Sequence, residues 1–413
     1  MSCIVRTVIR IAIGILFVYS GYVKAIDPVG SAIKFGEYFE AFGTHFLVSG
    51  SLIFGVLLAM VELITGLCFL FGLHIRLASL VSVLFMTFMT GLTFVLALTN
   101  LVQDCGCFGD AIKLTNWQTF YKNLIIDPFV VYIFVERKKY RQIVTPKTEW
   151  ATLAMMVVAT AGLALFCYRH LPLIDFIAYK VGVNIPEAMT VPENAPVDEY
   201  EAGKYIYEKN GEQQTFTIDN LPDSTWIFVD APKPKLLKKG YVAPAHDFSI
   251  SSPEGNIHEN IFATGGYAIF ITAVDITKMK TGKLAQMNEI AGYAAQNGVN
   301  CIMLSGSSDQ TNEVYARENG LNCPVYFTDA TILKSMVRAN PGMILLKDNT
   351  ILKKWNYNDF PSIDELKQLM ALPPKTVIAN HYKYYNTINH VIIGLIALLF
   401  VLFSVTSLRK RKI

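Results

Sequence analysis

Charged residues are scarce in this 413-residue chain: they make up 17% of it, against about one quarter in a typical soluble domain. Hydrophobic residues reach 52% and are concentrated before residue 168 and after residue 388. The net charge of +3 is too small to indicate nucleic-acid binding. Seven cysteines are too few and too scattered for a small disulfide-rich scaffold. The composition therefore predicts an integral membrane protein.

A membrane-spanning helix needs about 20 apolar residues, and six segments approach this length. They are Ile4–Val23, Leu47–Phe71, Leu77–Val102, Trp117–Val135, Trp150–Tyr168 and Ile388–Leu408. Trp117–Val135 is the weakest, because it contains Lys122 and an Asp127-Pro128 step. The first segment also fits a cleaved signal peptide, an alternative that stays open.

Basic residues predict how these spans are oriented, because lysine and arginine favour the cytoplasmic side. They cluster at the start of the chain, in Leu73–Arg76, in Glu136–Glu149 and in the tail Arg409–Lys412. The four clusters share one side only if all six segments span the membrane. We therefore expect both termini in the cytoplasm of a bacterium, spans in its inner membrane, and residues 104–110 and 170–388 in the periplasm.

Residues 1–145 contain three glycine-rich patterns in a fixed order. The first runs from Arg10 through Gly14, Ser20 and Gly21 to Lys24; the second from Val61-Glu62 through Gly66 and Gly72 to Arg76; the third is Asp104-Cys-Gly-Cys-Phe-Gly-Asp110. These patterns resemble the DoxX/MauE group of four-helix membrane proteins, and C-G-C-F-G resembles MauE in particular. The resemblance implies a four-helix module that takes part in periplasmic redox or disulfide maturation. MauE is associated with maturation of a disulfide-rich amine dehydrogenase subunit, but nothing else here indicates methylamine as a substrate.

Cys105 and Cys107 are the candidate catalytic residues. Their α-carbons can lie at most about 7 Å apart, which overlaps disulfide geometry, and Gly106 removes a side chain that would resist the tight ring. A strained disulfide exchanges easily, so the pair could pass electrons from a periplasmic dithiol to a quinone. A structural thiol pair and soft-metal binding stay open as alternatives. We expect a Cys107→Ser variant to trap Cys105 in a mixed disulfide.

Glu62 lies in the middle of an apolar segment, where a carboxylate is costly and usually faces the bundle interior. One interpretation is a proton relay. The other is an interhelical anchor to Lys24 or to Arg76.

The soluble segment divides into a linker with a small β element, residues 171–239, and an alternating strand–helix region, residues 240–372. Asn210-Gly211 predicts a β-hairpin in the first part. In the second, Ala245-His-Asp-Phe-Ser249 and Asn340-Pro341 resemble TlpA- and peroxiredoxin-type proteins with a thioredoxin fold. The resemblance implies that Pro341 is a cis-proline.

The redox cysteines of that fold are missing from this chain. They should follow the first core strand, near Ile276–Gly282, where no cysteine occurs. The domain is therefore expected to dock a periplasmic partner protein without catalysing thiol exchange. Cys301 and Cys323 begin two predicted strands, and a structural disulfide and two free thiols are both open.

The predicted fold class is thus an α-helical membrane bundle, with four helices in residues 1–145 and two further spans at 150–168 and 388–408, joined to a soluble thioredoxin-like α/β domain. The leading functional hypothesis is a membrane-anchored thiol–disulfide redox or maturation protein of the cell envelope. A non-enzymatic assembly factor is the main alternative. A small-solute or lipid transporter is a third hypothesis, which is supported only by Glu62.

Overall fold

The computed structural model describes residues 3–102, 104–140, 144–201, 203–232, 234, 236–238 and 240–411. Residues 141–143 and Lys412, which belong to two of the predicted basic clusters, lie outside the described residues. The chain forms two compact units, one of residues 1–182 with 249–413 and the other of residues 183–248.

The N-terminal region is helical. Its helices are α1 Cys3–Ile26, α2 Pro28–Ala41, α3 Ser51–Phe71, α4 Ile75–Thr99, α5 Asn116–Val135 and α6 Pro146–Arg169. Among the described residues, four helical stretches are long and apolar enough to cross a membrane: Ile4–Ile26, His45–Phe71, Ile75–Thr99 and Pro146–Arg169. Helix α5, which contains Lys122 and Asp127, is not one of these four, although it packs along α4. Four spans thus have direct support, and the six-span arrangement stays a prediction.

Glycines bring the backbones of α1 and α3 into direct contact. A Cβ atom at Gly21 would lie 2.3 Å from the backbone nitrogen of Leu63, and one at Gly66 would lie 2.5 Å from that of Val18. Small residues allow this close approach of helices in membranes. The glycine patterns of the first two segments therefore have a packing role, and they set Glu62 of α3 beside the last two turns of α1.

A separate sheet domain, residues 249–372, follows the second unit. Its elements are β6 and β7 at Ser251–Ser252 and Gly255–Asn256, α8 His258–Ala263, β8 Tyr267–Ala273, α9 Leu284–Gln296, β9 Asn300–Ser305, α10 Asp309–Asn319, β10 Val325–Phe327, α11 Ala330–Met336, β11 Gly342–Lys347, β12 Thr350–Asn356 and α12 Ile363–Ala371. The strands form one sheet in the order β12-β11-β8-β9-β10-β6-β7.

Strands β8, β9 and β10 of this sheet are parallel, whereas β11 runs antiparallel to both β8 and β12. The apolar residues of β8 and β11 are almost completely buried, as expected for central strands covered on both faces. The peptide bond between Asn340 and Pro341 is cis, directly before β11, as the resemblance implied.

The unit of residues 183–248 is smaller. It contains helix α7 Ile185–Met189, a three-stranded antiparallel sheet of β2 Tyr205–Lys209, β3 Glu212–Phe216 and β4 Ile227–Asp230, and the pair β1 Glu199–Tyr200 with β5 Leu236–Lys238. Asn210 and Gly211 both have positive φ angles, +55° and +84°, and connect β2 to β3. The predicted hairpin is thus present.

One long helix, α13 Pro374–Arg411, ends the chain. Near its start Val377 is buried in the core of the sheet domain, and further along Ile396 packs against the cluster formed by α1 and α3. The predicted sixth span, residues 388–408, is therefore the second half of a helix that begins in the sheet domain.

Candidate functional site

The candidate site is built around the CGC loop, residues 104–110, which connects α4 to α5. Isolated bridges pair Asp104 with Thr115 and Phe108 with Ile112, and so fold the connection back on itself. Gly106 has a φ of +62°, a backbone conformation that glycine adopts without strain. The sulfur atoms of Cys105 and Cys107 lie 3.0 Å apart, as two thiols in direct contact.

A buried ion pair holds the backbone of this loop. Lys24 Nζ lies 2.8 Å from Glu62 Oε2 and 2.8 Å from Ser20 Oγ, and it also donates to the carbonyl oxygen of Cys107. Ser20 Oγ is 2.9 Å from the same carboxylate and 2.8 Å from the same carbonyl. Lys24 and Glu62 are each 4% exposed. The anchor to Lys24 that the sequence suggested for Glu62 is thus present, and it extends to the cysteine loop.

Arg76, the other suggested partner of Glu62, lies elsewhere. It is exposed at the start of α4, beyond the end of α3 at Phe71. Within the described part of the chain it forms no ion pair with Glu62. The separation follows from helix geometry, since residues 62 and 71 of α3 are about 14 Å apart along the axis.

A small cavity of about 30 Å³ opens beside the cysteine pair. Its walls include Cys107 and Glu62, the cation of Lys122, and apolar residues of α1, α4 and α5. The space is sufficient for a water molecule, which needs on the order of 10–15 Å³. A quinone ring, with its many more heavy atoms, does not fit inside it, and the predicted quinone acceptor stays a prediction.

The two thiols differ in exposure and acidity. Cys105 is 5% exposed, whereas Cys107 is half-buried. The hydrogen bond from Cys105, followed by the positive charges of Lys122 and Lys24, lowers the pKa of Cys107 below the ordinary thiol value. The same hydrogen bond and burial raise the pKa of Cys105. Cys107 is thus the more acidic and the more exposed thiol of the pair, and the expectation that Cys107→Ser traps Cys105 stays a prediction.

A residue that the sequence analysis missed joins the sheet domain to the CGC loop. Arg338, three positions before the cis-proline Pro341, is 7% exposed and donates from Nε to Asp27 Oδ2 at 3.1 Å. It also donates to Asp110, the last residue of the loop, and from Nη1 to the carbonyl oxygen of Lys334 at 2.7 Å. Its partners are 311 and 228 positions away in sequence. No local pattern could have revealed this three-residue bridge.

Cys301 and Cys323 lie together in the core of the sheet domain. Cys301 is in β9, Cys323 lies two residues before β10, and their thiols share a hydrogen bond that raises the pKa of Cys301. Both are free thiols in this structure. Their proximity allows the predicted disulfide but does not require it.

Within the described residues, no group of three or more histidine, cysteine, aspartate or glutamate side chains converges as a metal site. Soft-metal binding by the cysteine pair would therefore depend on two thiolates alone.

Two parts of the chain match known families. Residues 2–134 match the family model for methylamine utilisation protein MauE, and residues 202–239 match a domain of unknown function, DUF8463. The comparison with curated proteins gives no match. The first third of the chain is thus a MauE-like membrane module, and it includes Lys24, Glu62 and both cysteines of the CGC loop.

Proposed function

We propose that this protein is a membrane-anchored thiol–disulfide redox or maturation protein of the cell envelope, with Cys105 and Cys107 as its redox pair. One observation carries the proposal: the thiols of Cys105 and Cys107 are in contact, and the buried Lys24–Glu62 ion pair holds the backbone of their loop through the carbonyl oxygen of Cys107. Neither a structural thiol pair nor a plain helix anchor requires a cation near the sulfur. A lowered pKa increases the fraction of thiolate, which is the reactive form.

The proposed reaction is an exchange with a disulfide of a partner protein. The Cys107 thiolate attacks one partner sulfur, forms a mixed disulfide and releases the other partner sulfur as a thiolate. Cys105 then loses its proton and attacks the sulfur of Cys107, which releases the second partner sulfur. In sum the pair is oxidised by two electrons to a disulfide, and the partner's disulfide is reduced and takes up two protons. The reverse sequence oxidises a partner dithiol.

The sheet domain supports the exchange without catalysing it. Its strand order and the cis-proline before β11 support the thioredoxin-like interpretation. The segment that should hold redox cysteines instead contains Ile276 and Met279, both buried, and no thiol. The domain then serves to dock the periplasmic partner beside the CGC loop, to which Arg338 ties it.

Trapping of a mixed disulfide tests the redox role. In a Cys105→Ser variant the second step is blocked, so Cys107 should accumulate as a mixed disulfide in cells quenched with acid and alkylated. A Cys107→Ser variant should give much less, because Cys105 is buried. Cys167→Ser, a buried thiol of α6, is the matched control and should behave as wild type. If neither variant accumulates an adduct and the double variant complements a deletion fully, the redox role is wrong.

The periplasmic placement needs its own test. Reporter fusions after Val102 and after Lys180 should indicate the periplasm, and a fusion after Tyr140 the cytoplasm. A cytoplasmic signal at Lys180 would contradict the six-span arrangement.

The alternative of a non-enzymatic assembly factor is favoured by one feature of the unit of residues 183–248. Strand β4 forms an edge of its sheet and exposes Ile227, Phe228 and Val229 by 74%, 53% and 44%. An exposed apolar edge strand can pair with another chain. An assembly factor would lose function when these residues are replaced by threonine but keep it without Cys105 and Cys107, whereas the redox protein would show the opposite pattern.

A further inference from the structure

A second, larger cavity lies away from the cysteine pair. It has a volume of about 280 Å³, close to the lower end of the range of roughly 300–1,000 Å³ for small-ligand sites. Its walls include Asp27 after α1, residues 171–177 and Lys180 after α6, and the face of α13 that contains His381 and Tyr385. Arg338 and Lys354 of the sheet domain line its far side.

The cavity lies next to the ends of two candidate membrane spans. The candidate spans in α1 and α6 end at Ile26 and Arg169, and Asp27 and Leu171, which line the cavity, follow these ends within two residues. Beneath it, Ile26, Cys167 and Leu173 form an apolar cluster against Tyr385 and further residues of α13. A polar chamber with an apolar base at this level matches the headgroup region of a lipid.

Most of the charge in the wall is already paired. Lys354 Nζ donates to the carbonyl oxygens of Tyr179 and Met336, both at 3.0 Å, and pairs with Asp175. Asp27 accepts from Arg338 and from the backbone of Gly30. The two carboxylates of the wall thus each accept from one of its buried cations.

Several donors remain. Lys180 at the rim has no ion pair within the described part of the chain, and Arg338 uses only part of its fork of N–H groups in the three bonds above. The hydroxyl of Tyr385 and the side-chain amide of Asn386 have no hydrogen-bond partner among the described residues. Burial, with the nearby charge of Lys354, lowers the pKa of His381 to about 4, so its ring is neutral at pH 7 and offers one more N–H group. Arg338 is shared by Asp27 and Asp110, and Lys354 is paired with Asp175, so the exposed cation of Lys180 and the neutral donors of the wall are left for a ligand.

We propose that this cavity binds the anionic phosphate of a membrane phospholipid headgroup, with Lys180 and Tyr385 as direct contacts. Charge-assisted hydrogen bonds to phosphate oxygens use these donors, and the glycerol end of the lipid lies over the apolar base. Phe176, which lines the cavity and is 36% exposed, belongs to the aromatic residues typical of membrane interfaces. A free phosphate compound would use the same donors but would leave the apolar base without a partner.

Binding at this place stabilises the whole molecule, because the cavity is walled by α13, the membrane module and the sheet domain together. The proposed contacts, Lys180 and Tyr385, include neither Cys105 nor Cys107. Lipid binding and thiol exchange can therefore be tested separately.

The test uses the purified full chain, delipidated in a neutral detergent, with its melting temperature followed by tryptophan fluorescence. Phosphatidylglycerol in mixed micelles should raise the melting temperature saturably, and phosphatidylcholine should do so much less. Lys180→Gln and Tyr385→Phe should each weaken the apparent affinity for phosphatidylglycerol about tenfold, which corresponds to one good contact. Lys383→Gln removes the same charge from α13 outside the cavity wall and should leave the affinity unchanged.

Three outcomes would overturn the proposal. Equal responses to the two lipids would show that the headgroup charge is not recognised. Equal affinities of Lys180→Gln, Tyr385→Phe and Lys383→Gln would show that the lipid binds elsewhere. If glycerol phosphate alone reproduces the full stabilisation, the ligand is a soluble phosphate compound and the lipid assignment is wrong.

Discussion

Replacing Arg338 with alanine should loosen the sheet domain and the CGC loop together. The change leaves the carboxylates of Asp27 and Asp110 without their shared cation. Removing one partner of a buried ion pair typically costs about 3–5 kcal/mol. Here the Asp27 and Asp110 side chains keep 15% and 27% of their exposure, so water offsets part of the loss and the lower end applies. We expect a loss of about 3 kcal/mol.

A loss of this size can be measured as a melting temperature in detergent. One kcal/mol corresponds to a shift of about 2–4 °C for units of 150–250 residues and less for larger ones, so a decrease of roughly 5–10 °C is expected. The second readout is alkylation of Cys107 by a bulky maleimide. Asp110 lies three positions after Cys107, so release of its side chain should let the loop open and raise the rate severalfold.

The matched control is Arg317→Ala, an exposed arginine of α10 in the same domain. It removes the same charge without breaking an ion pair of the described residues, and both readouts should stay at the wild-type value. An Arg338→Ala protein with an unchanged melting temperature and an unchanged alkylation rate would refute the bridge. A lower melting temperature with unchanged alkylation would confine the role of Arg338 to stability.

Three further predictions concern the thiols and the buried ion pair. The rate of Cys107 alkylation should rise with pH through a midpoint below the ordinary thiol pKa of about 8.5. Cys105→Ala removes the hydrogen-bond donor and should move that midpoint upward. An unchanged midpoint would contradict the assigned cause of the low pKa. Glu62→Gln should lower the melting temperature more than the double variant Glu62→Gln/Lys24→Met does, since the single change leaves a buried ammonium group unpaired. If the double variant lowers the melting temperature by the sum of the two single changes, the result would argue against the ion pair. If Cys301 forms a disulfide with Cys323, the loop of about 22 residues contributes on the order of 3 kcal/mol to stability. Cys301→Ser should then lower the melting temperature only under non-reducing conditions. An equal effect with reductant present would leave Cys301 as a packing residue.

Local sequence patterns were sufficient to predict elements that depend on neighbouring residues or on a uniformly apolar run. The apolar, β-branched run Tyr267–Val274 has the composition of a buried strand and contains β8, and the Asn210-Gly211 hairpin depends on two residues that tolerate positive φ. The cis-proline at Pro341 was predicted from the family resemblance and not from periodicity. These features need only a few neighbouring residues, which is why the sequence reveals them.

The site was harder to predict because its contacts connect distant positions. Glu62 had two candidate cations, and only the packing of Gly21 against Leu63 decides for Lys24. Arg338 has no sequence signal, since its carboxylates lie in other elements hundreds of positions away. The order of attack by the two cysteines depends on their burial, which the spacing C-G-C does not contain.

Helix α13 gives the molecule a mechanical property. Its 38 residues form a rod about 57 Å long that starts in the core of the sheet domain and runs on past the membrane module. The helix is continuous from the sheet domain to its end at Arg411, so the sheet domain cannot move independently of it. If α13 spans the bilayer as predicted, a tilt that matches it to the thickness of the bilayer would rotate the sheet domain with it. The thickness of the membrane would then determine the angle at which the sheet domain meets the CGC loop.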